Sequence, residues 1–279
     1  MSVASLKYRL AARPATPIFT DAIRGIWIDD EDRLYAVGDS ALKVFRPGGE
    51  LLTEWKTRQP PHCVAVDGRG AVWVGEPRRV EVFDPRGTLL ETRRDPQRIN
   101  LVTAIGFAAE DAFFGDAVAR CINRYDSQGA FVNAIGDEHR KGGFHIPNGV
   151  VDFAIDAEGV VHVANPGMHR VERHSVAGEL LGRFGRFDGR DPAGFPGCCN
   201  PTNLTVDGRG RVVVTEKAGP RAKVYDPTGE LLTVVASDVF DPSAKNMDVA
   251  VDSLGRIYVA DTARLGIRVF EPIAAGVPA

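Results

Sequence analysis

The sequence predicts an all-β protein, a six-bladed β-propeller of four-stranded blades, on three observations. First, one phrase recurs at 64–76, 204–216 and 249–261: a short apolar strand, a four-residue turn closing on glycine, a second apolar strand, then an acidic residue. Second, the aspartate ending the first strand marks five copies, Asp29, Asp67, Asp156, Asp207 and Asp252, and a sixth copy carries Ala108 at that place. The intervals between markers are 38, 41, 48, 51 and 45 residues. That range belongs to propeller blades and not to helical repeats. Third, runs rich in Val, Ile, Phe and Tyr recur throughout, and no stretch carries a convincing 3.6-residue apolar period.

Each copy reads as four strands, A to D. In the second copy the pattern predicts A over 64–66, B over 71–74, C over 79–83 and D over 88–92. Between them lie Asp67-Gly68-Arg69-Gly70 and Asp84-Pro85-Arg86-Gly87, tight turns whose proline and glycine suit the dihedral angles of short connections. The sixth copy supplies strand C at 267–270 but no good strand D. The orphan segment 6–11, ahead of the first strand A, has the length to fill that place and close the ring, which removes exposed sheet edges. The whole chain, 1–279, reads as a single domain.

Composition narrows the function classes. Of 279 residues 44% are hydrophobic, enough for a large core. A formal charge of −3 gives no strong pull toward nucleic acid or an anionic membrane. No run of 18 apolar residues predicts a membrane-spanning helix. Residues 1–9 lack the apolar core of a signal peptide, so a cytoplasmic location is expected, with Cys63, Cys121, Cys198 and Cys199 as reduced thiols.

The phrase apolar-Ala-Val-Asp-x-x-Gly-x-apolar-Tyr-Val-Ala-Asp, followed by Arg-Val-x-Val-Phe, resembles the NHL repeat over about 24–270. The third copy departs most, with Gly106-Phe107-Ala108 for Ala-Val-Asp, and the fourth has His174-Ser175-Val176-Ala177 for Phe-Asp-Pro. The resemblance implies the propeller. It leaves function open, because NHL-type propellers include protein- and RNA-binding modules, lyases and relatives of lactonases. Cys198-Cys199-Asn200-Pro201 also resembles a motif of bacterial NHL-repeat proteins, which implies no chemistry of its own.

Strand alternation places the D–A and B–C loops on one face and the tight A–B and C–D turns on the other. The long D–A segments, 137–148, 186–201 and 238–245, all fall on the first face, where function is expected. At the strand A entries, four residues before each marker, stand Gly25, Cys63, Ala104, Asp152, Asn203 and Asp248. Asp152, Asn203 and Asp248 come from consecutive blades and should converge on the channel mouth. Their oxygens suit Ca²⁺, Mg²⁺ or Mn²⁺. Gluconolactonase-like propellers use a similar acid-amide-acid set, although the likeness is positional only. The same residues would also serve simply to cap strand ends and hold channel waters.

Other candidates lie on the same rim. Cys198 and Cys199, with His62, Cys63, His139 or His145, offer a soft-metal site for copper or zinc with a redox or metal-handling role, or they pack as small hydrophobes. His62-Cys63 occupies the place where amidating-lyase propellers carry zinc-binding histidines, but the equivalent positions here hold Thr103, Val151, Thr202 and Met247. Glu216 and His62 are candidate bases, and Lys217 and Arg221 a candidate clamp for an anionic substrate. Glu216 equally matches Asp39, Glu76, Asp116 and Asp261, the acids that open the other B–C loops. His162 alternates with Val161 and Val163 and is expected to be a hydrogen-bonded core residue. The favoured reading is metal-assisted hydrolase or lyase chemistry on a small molecule at the channel mouth. The rival is a non-enzymatic protein-interaction propeller with a broad exposed patch.

Overall fold

A computed structural model describes residues 6–11, 17–136, 143–217 and 219–273. His139, Arg140 and Lys141 lie outside the described residues. The chain forms six four-stranded antiparallel sheets around a common axis, a six-bladed β-propeller. Blades 1 to 5 span 23–56, 63–93, 102–135, 153–184 and 203–236. Blade 6 takes three strands from 249–272, and its fourth is Tyr8–Leu10. That strand pairs in register with the last strand, Tyr8 opposite Pro272 and Leu10 opposite Phe270, so the orphan N-terminal segment closes the ring as expected. In blade 2 the strands are Cys63–Val66, Val72–Glu76, Arg79–Phe83 and Leu89–Arg93, within two residues of the expected bounds. Among the described residues helix is confined to one 3₁₀ turn, Pro166–Met168. No helix among the described residues is long and apolar enough to cross a membrane.

The marker aspartates explain the repeat. Asp67 accepts the amides of Arg69 and Ala71, both at 2.9 Å, and the indole N–H of Trp73, also at 2.9 Å. Asp29 and Asp252 hold their turns in the same way and accept the hydroxyls of Tyr35 and Tyr258. Asp156 bonds the His162 ring at 2.8 Å, so His162 is the hydrogen-bonded core residue its alternation implied. Asp207 has Val213 six residues on and takes the Arg211 guanidinium instead. Blade 3 dispenses with the aspartate because its strands pair right up to a two-residue turn, Ala108 opposite Asp111, with Ala109 at φ 51°. Gly106, the other departure there, lies against the Phe153 ring of blade 4, where a Cβ would come within 2.8 Å.

Sheets pack face to face through apolar clusters, such as Trp73, Val82, Ile105, Phe114 and Tyr125 between blades 2 and 3. Near the axis a second set of contacts stitches each blade to the next. The Cys63 thiol approaches the Val102 carbonyl at 3.6 Å, and the Thr103 hydroxyl donates to the Val151 carbonyl at 2.8 Å. Asp152 accepts the Leu204 amide at 2.7 Å, and the Thr215 hydroxyl donates to the Met247 carbonyl at 2.6 Å. Asp248 accepts the Ile26 amide at 2.7 Å. At the remaining seam Gly25 lets the backbones touch, since a Cβ there would sit 2.9 Å from the Cys63 Cα.

Replacing Asp67 by Ala strips one A–B turn of an acceptor for two amides and an indole. The expected cost is about 2 kcal/mol of unfolding free energy, read as a lower urea midpoint at unchanged slope.

Candidate active site at the channel mouth

The B–C acids turn out to share one structural task. Asp39 accepts the amides of Thr20, Asp21 and Ala22, Glu76 those of Arg58 and Gln59, and Asp116 that of Asn100. In each case the acid pins the segment entering its own blade. Glu216 follows the rule with cations. It is fully buried, with Arg221 Nε at 2.8 Å on Oε2 and Lys223 Nζ paired to Oε1. Lys223 also donates to the Gly194 carbonyl at 2.6 Å, so Glu216 anchors the 186–201 loop. Arg221 is thereby turned onto Glu216, and neither residue lines the channel mouth.

A polar cavity of about 240 Å³ occupies the mouth. Arg24, His62, Thr103, Asn203, Lys245 and Asn246 line it, together with Asp21 and Thr262. Asn246 and Asn148 bridge across it, the Asn148 Nδ2 donating to Asn246 Oδ1 at 3.2 Å and the Asn246 Nδ2 to the Asn148 carbonyl at 3.3 Å. Asn246 sits at φ 47°, a left-handed conformation that asparagine adopts more readily than most residues. A larger cavity, about 870 Å³, lies in the seam between blades 6 and 1 and shares no lining residue with the mouth.

The two carboxylates singled out from the strand A entries stand next to Asn203, which lines the cavity, and neither is itself among the lining residues. Asp152 is buried and Asp248 half-buried. Burial pushes the Asp248 carboxyl up to about 6. Burial, and then the charge of Asp248, push Asp152 well above the usual carboxylate range. Asn203, between them in blade order, hydrogen-bonds Asp152, and its buried Oδ1 has no partner. Cys63 faces the same pair. Burial, followed by the charges of Asp248 and Asp152, raises its thiol far above the usual value, so it remains a protonated stitch to Val102. His62 is lowered, first by burial and then by the Arg24 charge, which keeps its ring neutral at neutral pH.

The candidates therefore divide. The structure brings Asp152, Asn203, Asp248 and Cys63 together, with Asn203 and His62 lining the cavity. Cys198 and Cys199 form a separate pair, Sγ to Sγ 2.8 Å, with the Lys217 side chain hydrogen-bonded to Cys199. Among the described residues no three His, Cys, Asp or Glu side chains converge as metal ligands, so neither thiol pair nor acid pair gains a third such group. The sequence placed Arg24 and Lys245 on this face without assigning either a role, and passed over Asn246. Arg24 stands one residue before its strand A entry, the register of His62, and that shared register was the available signal.

No protein-family model and no curated protein sequence matches the chain. Solved structures do. A streptogramin B lyase aligns at TM-score 0.68 and 12% identity over 98% of this chain and 100% of its own. A luciferin-regenerating enzyme aligns at 0.70 and 14%, covering 98% and 97%. A gluconolactonase from Xanthomonas campestris aligns at 0.70 and 17%, covering 97% and 91%. At such identities the likeness is one of fold.

The acid pair sets a pH signature. Folded-state values above the unfolded value of about 3.9 mean that the native state holds extra protons, so this contribution is full below about pH 4 and lost as pH rises through about 6. With a chelator present, the native protein should lose stability from about pH 4 to about pH 7, and Asp248→Asn should flatten that part of the profile. Urea midpoints at stepped pH make the comparison.

Proposed function

We propose that the channel mouth is a small-molecule site of hydrolase or lyase type, acting on a compact polar substrate that carries negative charge. The observation that carries this reading is the pair Asp152 and Asp248, with the unpartnered Asn203 Oδ1 from the blade between them, at a cavity lined by Asn203, Arg24, His62 and Lys245. Two carboxylates and an amide oxygen form a hard, oxygen-only donor set, which fits Ca²⁺, Mg²⁺ or Mn²⁺. An orphaned buried oxygen beside two mutually repelling acids is the polarity a cation would satisfy. When bound there, such an ion would polarise a carbonyl or make a water more acidic.

The remaining roles belong to the chain itself. Arg24 and Lys245 supply positive charge for a carboxylate or similar anion, while Thr103, Asn246 and Thr262 offer hydrogen bonds around it. His62, neutral and at the cavity wall, accepts a proton from substrate or water. Lactone or ester opening and elimination next to a carboxylate both suit this set. The lyase and lactonase folds among the structural neighbours agree with that range without choosing within it. A soft-metal role for Cys198 and Cys199 fits less well, because the Lys217 ammonium adjoins the sulfurs and repels a cation. A protein partner on the rim is the remaining alternative, and the small, recessed, polar mouth argues for a small molecule instead.

Metal-stripped protein titrated with Ca²⁺, Mg²⁺ or Mn²⁺ should gain about 3 kcal/mol of stability at a hundredfold excess over the dissociation constant, and Asp248→Asn should gain none. A panel of anionic lactones, esters and elimination substrates should then show turnover that His62→Ala lowers by about 10²-fold or more. No response to any of the three ions, and no turnover across the panel, would sink the reading.

A further inference from the structure

The two adjacent cysteines stand apart from the channel chemistry. Their loop is tied down on every side. The Phe195 amide donates to the Arg186 carbonyl at 2.8 Å, the Tyr225 hydroxyl to the Ala193 carbonyl at 2.9 Å, and the His169 ring lies 3.0 Å from the Phe195 carbonyl. Asn200 closes the segment from both sides, its Nδ2 donating to the Pro196 carbonyl at 2.8 Å and its Oδ1 accepting the Lys217 amide at 2.8 Å. Between these anchors Cys198 is exposed and Cys199 buried. Packing as a small hydrophobe therefore accounts for Cys199 and leaves Cys198 unexplained. The thiols are in contact at 2.8 Å, with the Lys217 side chain against Cys199.

We propose that Cys198 and Cys199 form a two-electron thiol switch oxidised by hydroperoxides, with Cys198 as the attacking and Cys199 as the resolving sulfur. The Cys198 thiolate attacks the outer oxygen of the hydroperoxide. An S–O bond forms, the O–O bond breaks, and the departing oxygen leaves as water or an alcohol after taking up a proton. Cys199 then attacks the sulfenic sulfur of Cys198. The S–S bond forms, the S–O bond breaks, and the hydroxyl leaves as water with the Cys199 proton. The two cysteines lose two electrons in all, and the peroxide gains them.

Three features favour this chemistry. Exposure gives the oxidant access to one sulfur only. The hydrogen bond from the Cys199 thiol, and after it the Lys217 charge, lower the Cys198 thiol toward thiolate, and the same ammonium disfavours a bound cation. A disulfide between sequence neighbours is strained, because Cα atoms about 3.8 Å apart fall short of ordinary disulfide spans, so the bond reopens readily with a dithiol. Cys63 and Cys121 are buried and provide internal controls.

The test is intact-mass and peptide-mass analysis of the reduced protein treated with hydrogen peroxide. The expected product has lost two hydrogen atoms, carries its link within the 198–199 peptide, and returns to the starting mass with dithiothreitol. In Cys199→Ser, dimedone should trap a sulfenic acid at Cys198. In Cys198→Ser, a change at an exposed position, Cys199 should stay unmodified. Three results would overturn the proposal. One is oxygen accumulating on Cys198 while Cys199 remains a free thiol. Another is a Cys198 link between two copies of the chain. The last is no reaction at peroxide levels that oxidise free glutathione. The native-protein measurement decides even where a variant fails to fold.

Discussion

The fold depends on how six independently hydrogen-bonded sheets are held to one another. Within each blade the backbone groups are spent on its own strands, so neighbouring blades meet through apolar faces, side-chain contacts toward the rim and a set of stitches near the axis. Burial of Val, Ile, Phe and Trp supplies most of the cohesion at roughly 25 cal/mol per Å², yet it fixes no angle. The axial stitches add direction. Cys63, Thr103, Asp152, Thr215 and Asp248 each reach a backbone group of the following blade, and Gly25 lets the last seam close by direct backbone contact. Three chemistries, thiol, hydroxyl and carboxylate, serve one purpose, because a backbone amide or carbonyl asks only for one complementary polar atom.

That tolerance explains what could be seen in the sequence. The A–B turn is local: Asp67 holds amides two and four residues on and a side chain six on, so its signature is short and repeats. Ring closure was legible for a similar reason, since a blade that lacks a strand leaves an edge, and Tyr8–Leu10 lies ahead of the first blade with the length to fill it. The candidate site was half legible. Strand register alone put Asp152, Asn203 and Asp248 on one ring. It gave no means of telling acids that line the mouth from acids that hold a loop. Glu216 shows the difficulty, because its place in the repeat matches Asp39, Glu76 and Asp116, and its burial with Arg221 and Lys223 depends on a loop some twenty residues earlier. Lys245 was missed because a long cation on an irregular segment carries no period, whereas Arg24 shares the register of His62 on its strand and only the closed ring shows that both reach one cavity.

The two acids ask for more than stitching. Thr103 and Thr215 make the same inter-blade bond with a neutral hydroxyl, at no cost in buried charge. Asp152 and Asp248 join their seams with carboxylates that accept an amide instead; burial displaces both protonation equilibria upward, and the charge of Asp248 displaces that of Asp152 further. Each commits a carboxylate oxygen to a backbone amide of the next blade and so is held in a fixed orientation. Asp248 gives its second oxygen to the Val249 amide, and Asp152 also accepts from the Phe153 amide and the Asn203 side chain, so both carboxylates are fixed in advance, as a ligand or proton-transfer site requires. Asn203 adds to this from the blade between. A serine or threonine there would close the strand end as well, whereas the amide leaves an oxygen buried with nothing to accept from. Three consecutive blades thus add raised carboxyls and an unpartnered amide oxygen to what their seams require, and Asn203 brings that polarity to the cavity that Arg24, His62 and Lys245 line. The function is read from that surplus.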